Sequence, residues 1–256
     1  MTRRVRLDTL VVERGLAETR ARARALVLAG QIRVDGAIRS KAGVAVSDDA
    51  DLTLVTPDHP YVGRGGVKLA HALDTFDIRV SGRTALDIGA STGGFTDVLL
   101  RRGAARVAAV DVGHGQLAWK LRQDPRVVTL DRINARGLSA ELLPPVFERV
   151  DLVTIDVSFI SLRLVLRPLP SLLSQDADVV ALVKPQFEAG REEVGKRGIV
   201  TDEAIHRRVV EEVAAAAERL GLQRVAVAPS PITGAEGNQE FFLHLRLREG
   251  RTNHAD

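Results

Sequence analysis

The 256 residues contain no cysteine, which excludes disulfides, thiolate metal sites and a cysteine nucleophile. No stretch approaches the roughly 18 uninterrupted apolar residues of a transmembrane helix. The basic start M-T-R-R-V-R-L-D is not followed by the apolar core of a signal peptide, so a cytoplasmic location is expected. Lysine is scarce: of 36 basic residues only Lys41, Lys68, Lys120, Lys184 and Lys196 are not arginine. That scarcity raises the question of why a lysine stands at 68, in Y-V-G-R-G-G-V-K-L-A-H-A-L (61–73), just after three glycines and an arginine.

What is present reads as a folded protein. A content of 45% hydrophobic and 27% charged residues is ordinary for a globular chain, long enough for one large domain or a large one with a small companion. Charge is unevenly spread. Residues 1–41 hold ten basic side chains against four acids, and the remainder holds 26 against 29. A basic end on a slightly acidic body suggests a polyanion-binding appendage, although a solvated arginine-rich helix would look the same.

Residues 7–29 read as two short helices hinged at Gly15, the second capped by Thr19 and stopped by Gly30. Its spacing puts Arg20 and Arg24 on one face, Arg22 to the side, and Ala21, Ala25 and Leu28 on the other. Alternating segments follow, with a hairpin signal at Asp35-Gly36. These features set a first domain at 1–56, and Pro57 and Pro60 mark a linker at 57–65. From residue 84, short Val/Ile/Leu runs alternate with helical candidates near 94–103, 114–124, 160–173 and 202–220. This alternation predicts an α/β domain with a doubly wound, mostly parallel sheet over 66–250, followed by a disordered tail at 251–256.

In such sheets ligands bind at the carboxyl ends of the strands. The first strand ends in A-L-D-I-G-A-S-T-G-G-F-T (85–96), where Gly89, Gly93 and Gly94 would let backbone approach a ligand. The spacing is neither the G-x-G-x-x-G of a dinucleotide fold nor a phosphate loop, which disfavours a nicotinamide enzyme. Asp111, 22 residues after Gly89, closes the next strand and can accept bonds from both hydroxyls of a ribose. An adenosine ribose without a pyrophosphate points to S-adenosylmethionine (AdoMet). A structural glycine turn beside a surface acid is the plainer alternative.

Asp156 and Lys184 end two further apolar runs, and a charge there is costly unless paired or used. Otherwise Asp156 would be a helix cap, and Lys184 would snorkel to water. Methyl transfer to an aliphatic hydroxyl needs that hydroxyl positioned and relieved of its proton. Arginine cannot serve as the base, whereas lysine can once desolvation or a nearby cation lowers its pKa. Two lysines converging on one hydroxyl, oriented by carboxylates, would account for Lys68 and Lys184. Glu240, in G-A-E-G-N-Q-E-F-F, can complete the set, or be an ordinary loop carboxylate.

These blocks resemble the TlyA (hemolysin A) family of rRNA 2′-O-methyltransferases, which join an S4-type RNA-binding domain to an FtsJ-like Rossmann methyltransferase. The matching stretches are 6–55, G-R-G-G-V-K-L (63–69), D-I-G-A-S-T-G-G-F-T (87–96), V-D-V-G-H-G-Q-L-A-W (110–119), D-V-S-F-I-S-L (156–162), L-V-K-P-Q-F-E (182–188) and G-N-Q-E-F-F (237–242). The resemblance implies a small N-terminal α+β S4 domain, a seven-stranded Rossmann-like methyltransferase domain, and a catalytic set of Lys68, Asp156, Lys184 and Glu240. It implies AdoMet held by Asp87, Gly89, Ala90, Ser91, Thr92, Gly93, Gly94 and Phe95, with Asp111. It further implies cytidine 2′-hydroxyls of small- or large-subunit rRNA as substrate. RNA contacts are expected from Arg4, Arg6, Arg20, Arg22, Arg24, Arg33 and Arg64. A monomer acting on ribosomal subunits, without metal or membrane, is expected, and Gly65 and Gly66 are expected to hinge the two domains. One departure is K-R-G at 196–198, where the family pattern has glycine in place of Arg197. A non-catalytic rRNA-binding assembly factor and a membrane-lytic protein are the competing readings.

Overall fold

Strand and helix follow the apolar periodicity in most of the chain, and the computed structural model describes residues 3–17, 19–55, 59–195, 197–234 and 236–247. Positions 57 and 58 of the expected linker, Lys196 and the expected tail at 251–256 lie outside the described residues. The chain divides into two units, Met1–Arg64 and Gly65–Asp256.

In the first unit, strand β1 (Arg4–Arg6) leads into helix α1 (Leu7–Glu13). Helix α2 (Arg20–Leu28) starts where the Thr19 side chain accepts the Arg22 N–H at 3.2 Å. Its inward face is Ala23, Leu26 and Val27, packed with Leu7, Leu10 and Val11. Of the residues that helical spacing sets opposite Arg20 and Arg24, Ala21 and Leu28 are exposed. Leu26 and Val27 offer more apolar surface than two alanines, so the helix turns that stripe inward. Strands β2 (Ile32–Val34) and β3 (Ala37–Ile38) are joined by Asp35 and Gly36 at φ 49° and 79°, the left-handed pair of a two-residue hairpin. Strand β4 (Ala45–Ser47) pairs with β1, and β5 (Leu52–Leu54) pairs with β2, all antiparallel.

The second unit opens with helix α3 (Gly65–Thr75), which takes in Gly65, the last position of the expected linker, together with Gly66. There follow β6 (Thr84–Ile88), α4 (Gly94–Arg101), β7 (Arg106–Asp111), α5 (Trp119–Arg122), β8 (Val127–Asp131), β9 (Val150–Ile155), α6 (Leu162–Val165), β10 (Leu173–Val183), α7 (Pro185–Glu188), α8 (Glu203–Arg219), β11 (Leu222–Pro229) and β12 (Phe241–Leu247). The sheet order is β11-β12-β10-β9-β6-β7-β8. The five strands from β10 to β8 are parallel, and β12 runs antiparallel between β10 and β11. Val153, Ile155, Val179 and Ala181 of the sheet belong to the same core cluster as Val209, Val213 and Ala217 of α8. On α4, Val98 and Leu99 are wholly buried.

Two helical expectations shrink. The segment 114–124 keeps only Trp119–Arg122; Gly115, at φ 66°, stands in the left-handed region that a right-handed helix cannot include. The segment 160–173 keeps Leu162–Val165, since Pro168 and Pro170 cannot continue the ladder and β10 already begins at Leu173.

Away from the carboxyl edge, β10 carries a buried carboxylate. Asp178 accepts from Nε2 of His244 at 2.7 Å, Nη1 of Arg83 at 2.5 Å and Nε of Arg246 at 2.6 Å. Phe76 stacks on the His244 ring at 5.3 Å.

Candidate active site

Parallel strands end at one edge, and β12, running the other way, begins there. In the ladder Val183 lies opposite Phe241, so Lys184 and Glu240 sit one residue beyond it on neighbouring strands. Asp156 follows β9 directly, its N–H bonded to Ile88 O at 2.9 Å. Lys68 comes from the first turn of α3. These four side chains form two ion pairs. Lys68 Nζ donates to Glu240 Oε2 at 2.5 Å, with side-chain exposures of 9% and 3%. Lys184 Nζ lies 2.6 Å from Asp156 Oδ1 and donates to Ser158 Oγ at 3.1 Å. The Asp156 contact is off hydrogen-bonding angles, so buried Oδ1 takes no well-directed hydrogen bond.

Glycines seat this arrangement by what they leave out. A Cβ on Gly94 would stand 2.9 Å from the Gly66 backbone N, so α4 approaches the start of α3 this closely only because Gly94 is bare. A Cβ on Gly89 would lie 2.3 Å from Asp156 O, and one on Gly234 would lie 2.5 Å from Glu240 Oε1. Gly93 would collide with Leu117 and Leu121. At all these positions the protein itself fills the space that a Cβ would take.

The loop after β6 divides into a buried and an accessible half. Ser91 is exposed, Gly89 and Thr92 are half-buried, and Ala90, Gly93, Gly94 and Phe95 are buried. The Phe95 ring lies 6.3 Å from that of Phe242. Asp111 holds the loop, accepting from Ser91 N at 2.8 Å and Gly113 N at 2.6 Å. Asp131 stands opposite Asp111 in register and accepts from His114 Nδ1 and Gly115 N, both at 2.9 Å. Sequence reasoning passed over Asp131, although R-V-V-T-L-D ends in an acid just as A-V-D-V does.

Asp87 lies beneath the loop and is wholly buried, with Oδ2 accepting from Thr96 Oγ1 at 2.6 Å and Oδ1 from Thr154 Oγ1 at 3.0 Å. Burial pushes its carboxyl up to about 7, with the two hydroxyls opposing the shift and Asp156 adding to it. The folded state therefore holds a proton that the unfolded chain, with an ordinary value of 3.8, gives up as pH rises. Stability present at acid pH is lost through that window. Asp87→Asn should thus match the parent near pH 4 and gain on it progressively to pH 7 in thermal denaturation. A difference that does not vary with pH would reject this account.

Glu188 ties the loop bearing Lys184 to that following Asp156, accepting from Ser161 Oγ and Leu162 N, both at 2.6 Å; burial raises its pKa. Between these loops Phe159 is 91% exposed at φ 64°, its ring 5.0 Å from that of Phe187. A left-handed phenylalanine is strained by about 1–3 kcal/mol. Buried Asn238 braces the K-R-G departure, accepting from Val200 N and donating to Gly198 O, while Arg197 is exposed. In the first unit, Arg4, Arg6, Arg20, Arg22, Arg24, Arg33 and Arg64 are all exposed, and Arg4 donates to Ala45 O. Among the described residues, no group of three or more His, Asp or Glu side chains is placed to hold a metal, and no helix is long and apolar enough to cross a membrane.

Residues 61–247 match the FtsJ-like methyltransferase family model, and residues 5–52 match the S4 domain. The chain is 53% identical to the 16S/23S rRNA (cytidine-2′-O)-methyltransferase TlyA of Mycobacterium tuberculosis, over 98% of this chain and 93% of that protein. It is 40% identical to a protein named Hemolysin A from Brachyspira hyodysenteriae, over 94% of this chain and 99% of that one. A solved structure described as a hemolysin candidate from Streptococcus thermophilus superposes with a TM-score of 0.75 at 44% identity, covering 97% of this chain and 90% of that one.

Proposed function

The chain belongs to the FtsJ-like methyltransferases of the TlyA group, which carry an S4 domain ahead of the catalytic one, and from that premise we propose AdoMet-dependent 2′-O-methylation of cytidine ribose in rRNA of one or both ribosomal subunits. The observation that carries the reading is the pair of lysine–carboxylate contacts, Lys68–Glu240 and Lys184–Asp156, at the edge that also holds the glycine loop and Asp111.

AdoMet supplies the electrophilic methyl of its sulfonium. Asp111 suits the ribose of that cofactor: each of its oxygens accepts one backbone N–H, and a carboxylate oxygen has capacity for a second bond. A ribose 2′-hydroxyl set between Lys68 and Lys184 would pass its proton to whichever of the two amines is unprotonated, and the neighbouring carboxylate would hold the ammonium so formed. Asp156 and Glu240 fix where those amines stand, each within 2.6 Å of its lysine. Phe159 offers a bare aromatic face on which an unstacked base can lie. The basic first unit brings the RNA in, chiefly by phosphate contacts.

Mass-spectrometric mapping of ribose methylation after incubating unmethylated small and large ribosomal subunits with the protein and AdoMet tests the reading. New 2′-O-methylcytidine in either subunit is expected. None in either would reject it.

A further inference from the structure

The most basic part of the chain hides an acid. Asp8 is only 3% exposed, yet it sits amid the arginines of the first unit. Its Oδ1 accepts from Arg6 Nε at 3.0 Å, and its Oδ2 from Arg6 Nη2 at 2.7 Å, a bidentate fork. Arg20 Nη2 reaches the same Oδ2 at 3.3 Å. On the other side, the guanidinium of Arg6 rests over Gly43, where a Cβ would stand 3.1 Å from Nη2 and 3.2 Å from Nη1. The loop holding Gly43 is itself pinned across the start of α1, through Asp8 N to Ala42 O and Leu7 N to Val44 O, each at 2.9 Å.

We infer that Asp8, with the bare surface of Gly43, is a positioning residue for RNA recognition, holding the guanidinium groups of Arg6 and Arg20 as one prearranged phosphate-binding pair. This rests on the proposal that the first unit binds RNA. Arg6 and Arg20 keep 55% and 61% of their side-chain surface exposed, so ion pairs here add little to stability and leave the outer donors accessible. What the acid contributes is order. An arginine fork matches a phosphate only in the right orientation, and fixing it beforehand removes that entropic cost from binding. The Arg6 hydrogen bonds, working against burial, hold the Asp8 carboxyl down at about 2, so the clamp is charged throughout the neutral range.

The sign of the effect separates this role from bulk electrostatics. Asp8→Asn makes the protein more positive, and attraction to a polyanion alone would tighten binding. Prearrangement predicts the opposite. With full-length protein and unmethylated ribosomal subunits, Asp8→Asn should weaken binding about tenfold and flatten the slope of log K against log salt by about one to two phosphate contacts. The loss should appear in KM for subunits rather than in kcat. Gly43→Ala, which pushes on Arg6 and leaves Asp8 untouched, should show the same pattern more weakly, and it decides the matter should Asp8→Asn fail to fold. Asp49→Asn, at an exposed acid of the same unit, should bind no more weakly than the parent.

Binding that is unchanged or tighter in folded Asp8→Asn, or unchanged in Gly43→Ala, overturns the inference. The double variant Arg6→Ala, Arg20→Ala separates the two layers. If it binds subunits normally, RNA binding by this face falls and the inference falls with it. If it binds weakly while Asp8→Asn does not, the inference alone falls.

Discussion

Replacing Lys184 by alanine should lower the methylation rate by about a thousandfold while AdoMet still binds, because positioned proton transfer contributes on the order of 10²–10⁴. Lys184 pairs with Asp156 and donates to Ser158, whereas Asp111 is engaged by the N–H groups of Ser91 and Gly113. Lys68→Ala should abolish turnover similarly, but with a second signature. Its partner Glu240 is nearly inaccessible, and stripping one member from a buried pair costs about 3–5 kcal/mol through the charge left behind. Lys68→Met combined with Glu240→Leu should recover most of that stability and none of the activity. AdoMet binding by calorimetry, single-turnover methylation and thermal denaturation read the three quantities separately. Near-normal turnover in either single lysine variant would remove that residue from the catalytic set.

Asp178→Asn should do the reverse: about 3–5 kcal/mol of stability lost, seen as a fall in Tm of about 10 °C, with kcat at permissive temperature retained. Three donors converge on this buried carboxylate, so its neutralisation leaves Arg83, Arg246 and His244 facing an amide that cannot serve them all. Burial alone would raise its pKa, but the hydrogen bonds from His244, Arg83 and Arg246 outweigh it and hold the carboxyl well below the usual range. A folded-state pKa that is depressed gives stability present above the unfolded value near 3.8 and lost as pH falls below it. The variant's deficit should therefore be full at neutral pH and shrink in acid. An equal deficit at pH 3 and pH 7 would contradict this assignment.

The strands were legible because a parallel sheet buries both faces, leaving continuous runs such as V-A-A-V-D-V with little ambiguity. The acids and lysines that close those runs were legible for the same reason: a charge ending an apolar run stands out. What the sequence hides is contact between distant segments. Nothing near Gly94 tells that its missing side chain makes room for Gly66, and nothing near Gly234 tells that it seats Glu240. The inward stripe of α2 was missed because alanines at 21 and 25 fit helical spacing as well as Ala23 does, and only packing against Leu7 and Leu10 breaks the tie. Asp8 was counted among the acids of the basic segment; its role depends on a fork geometry that composition does not carry.

The antiparallel course of β12 has a consequence for the order in which the protein matures on the ribosome. Lys68 and Glu240 are 172 residues apart, and Glu240 reaches the edge only once the last strand has slotted between β10 and β11. The basic first unit leaves the exit tunnel long before that. Were the first unit to fold as it emerges, a nascent chain would present its S4 domain before Lys68 meets Glu240, because that pair of the proposed site forms only when β12 enters the sheet.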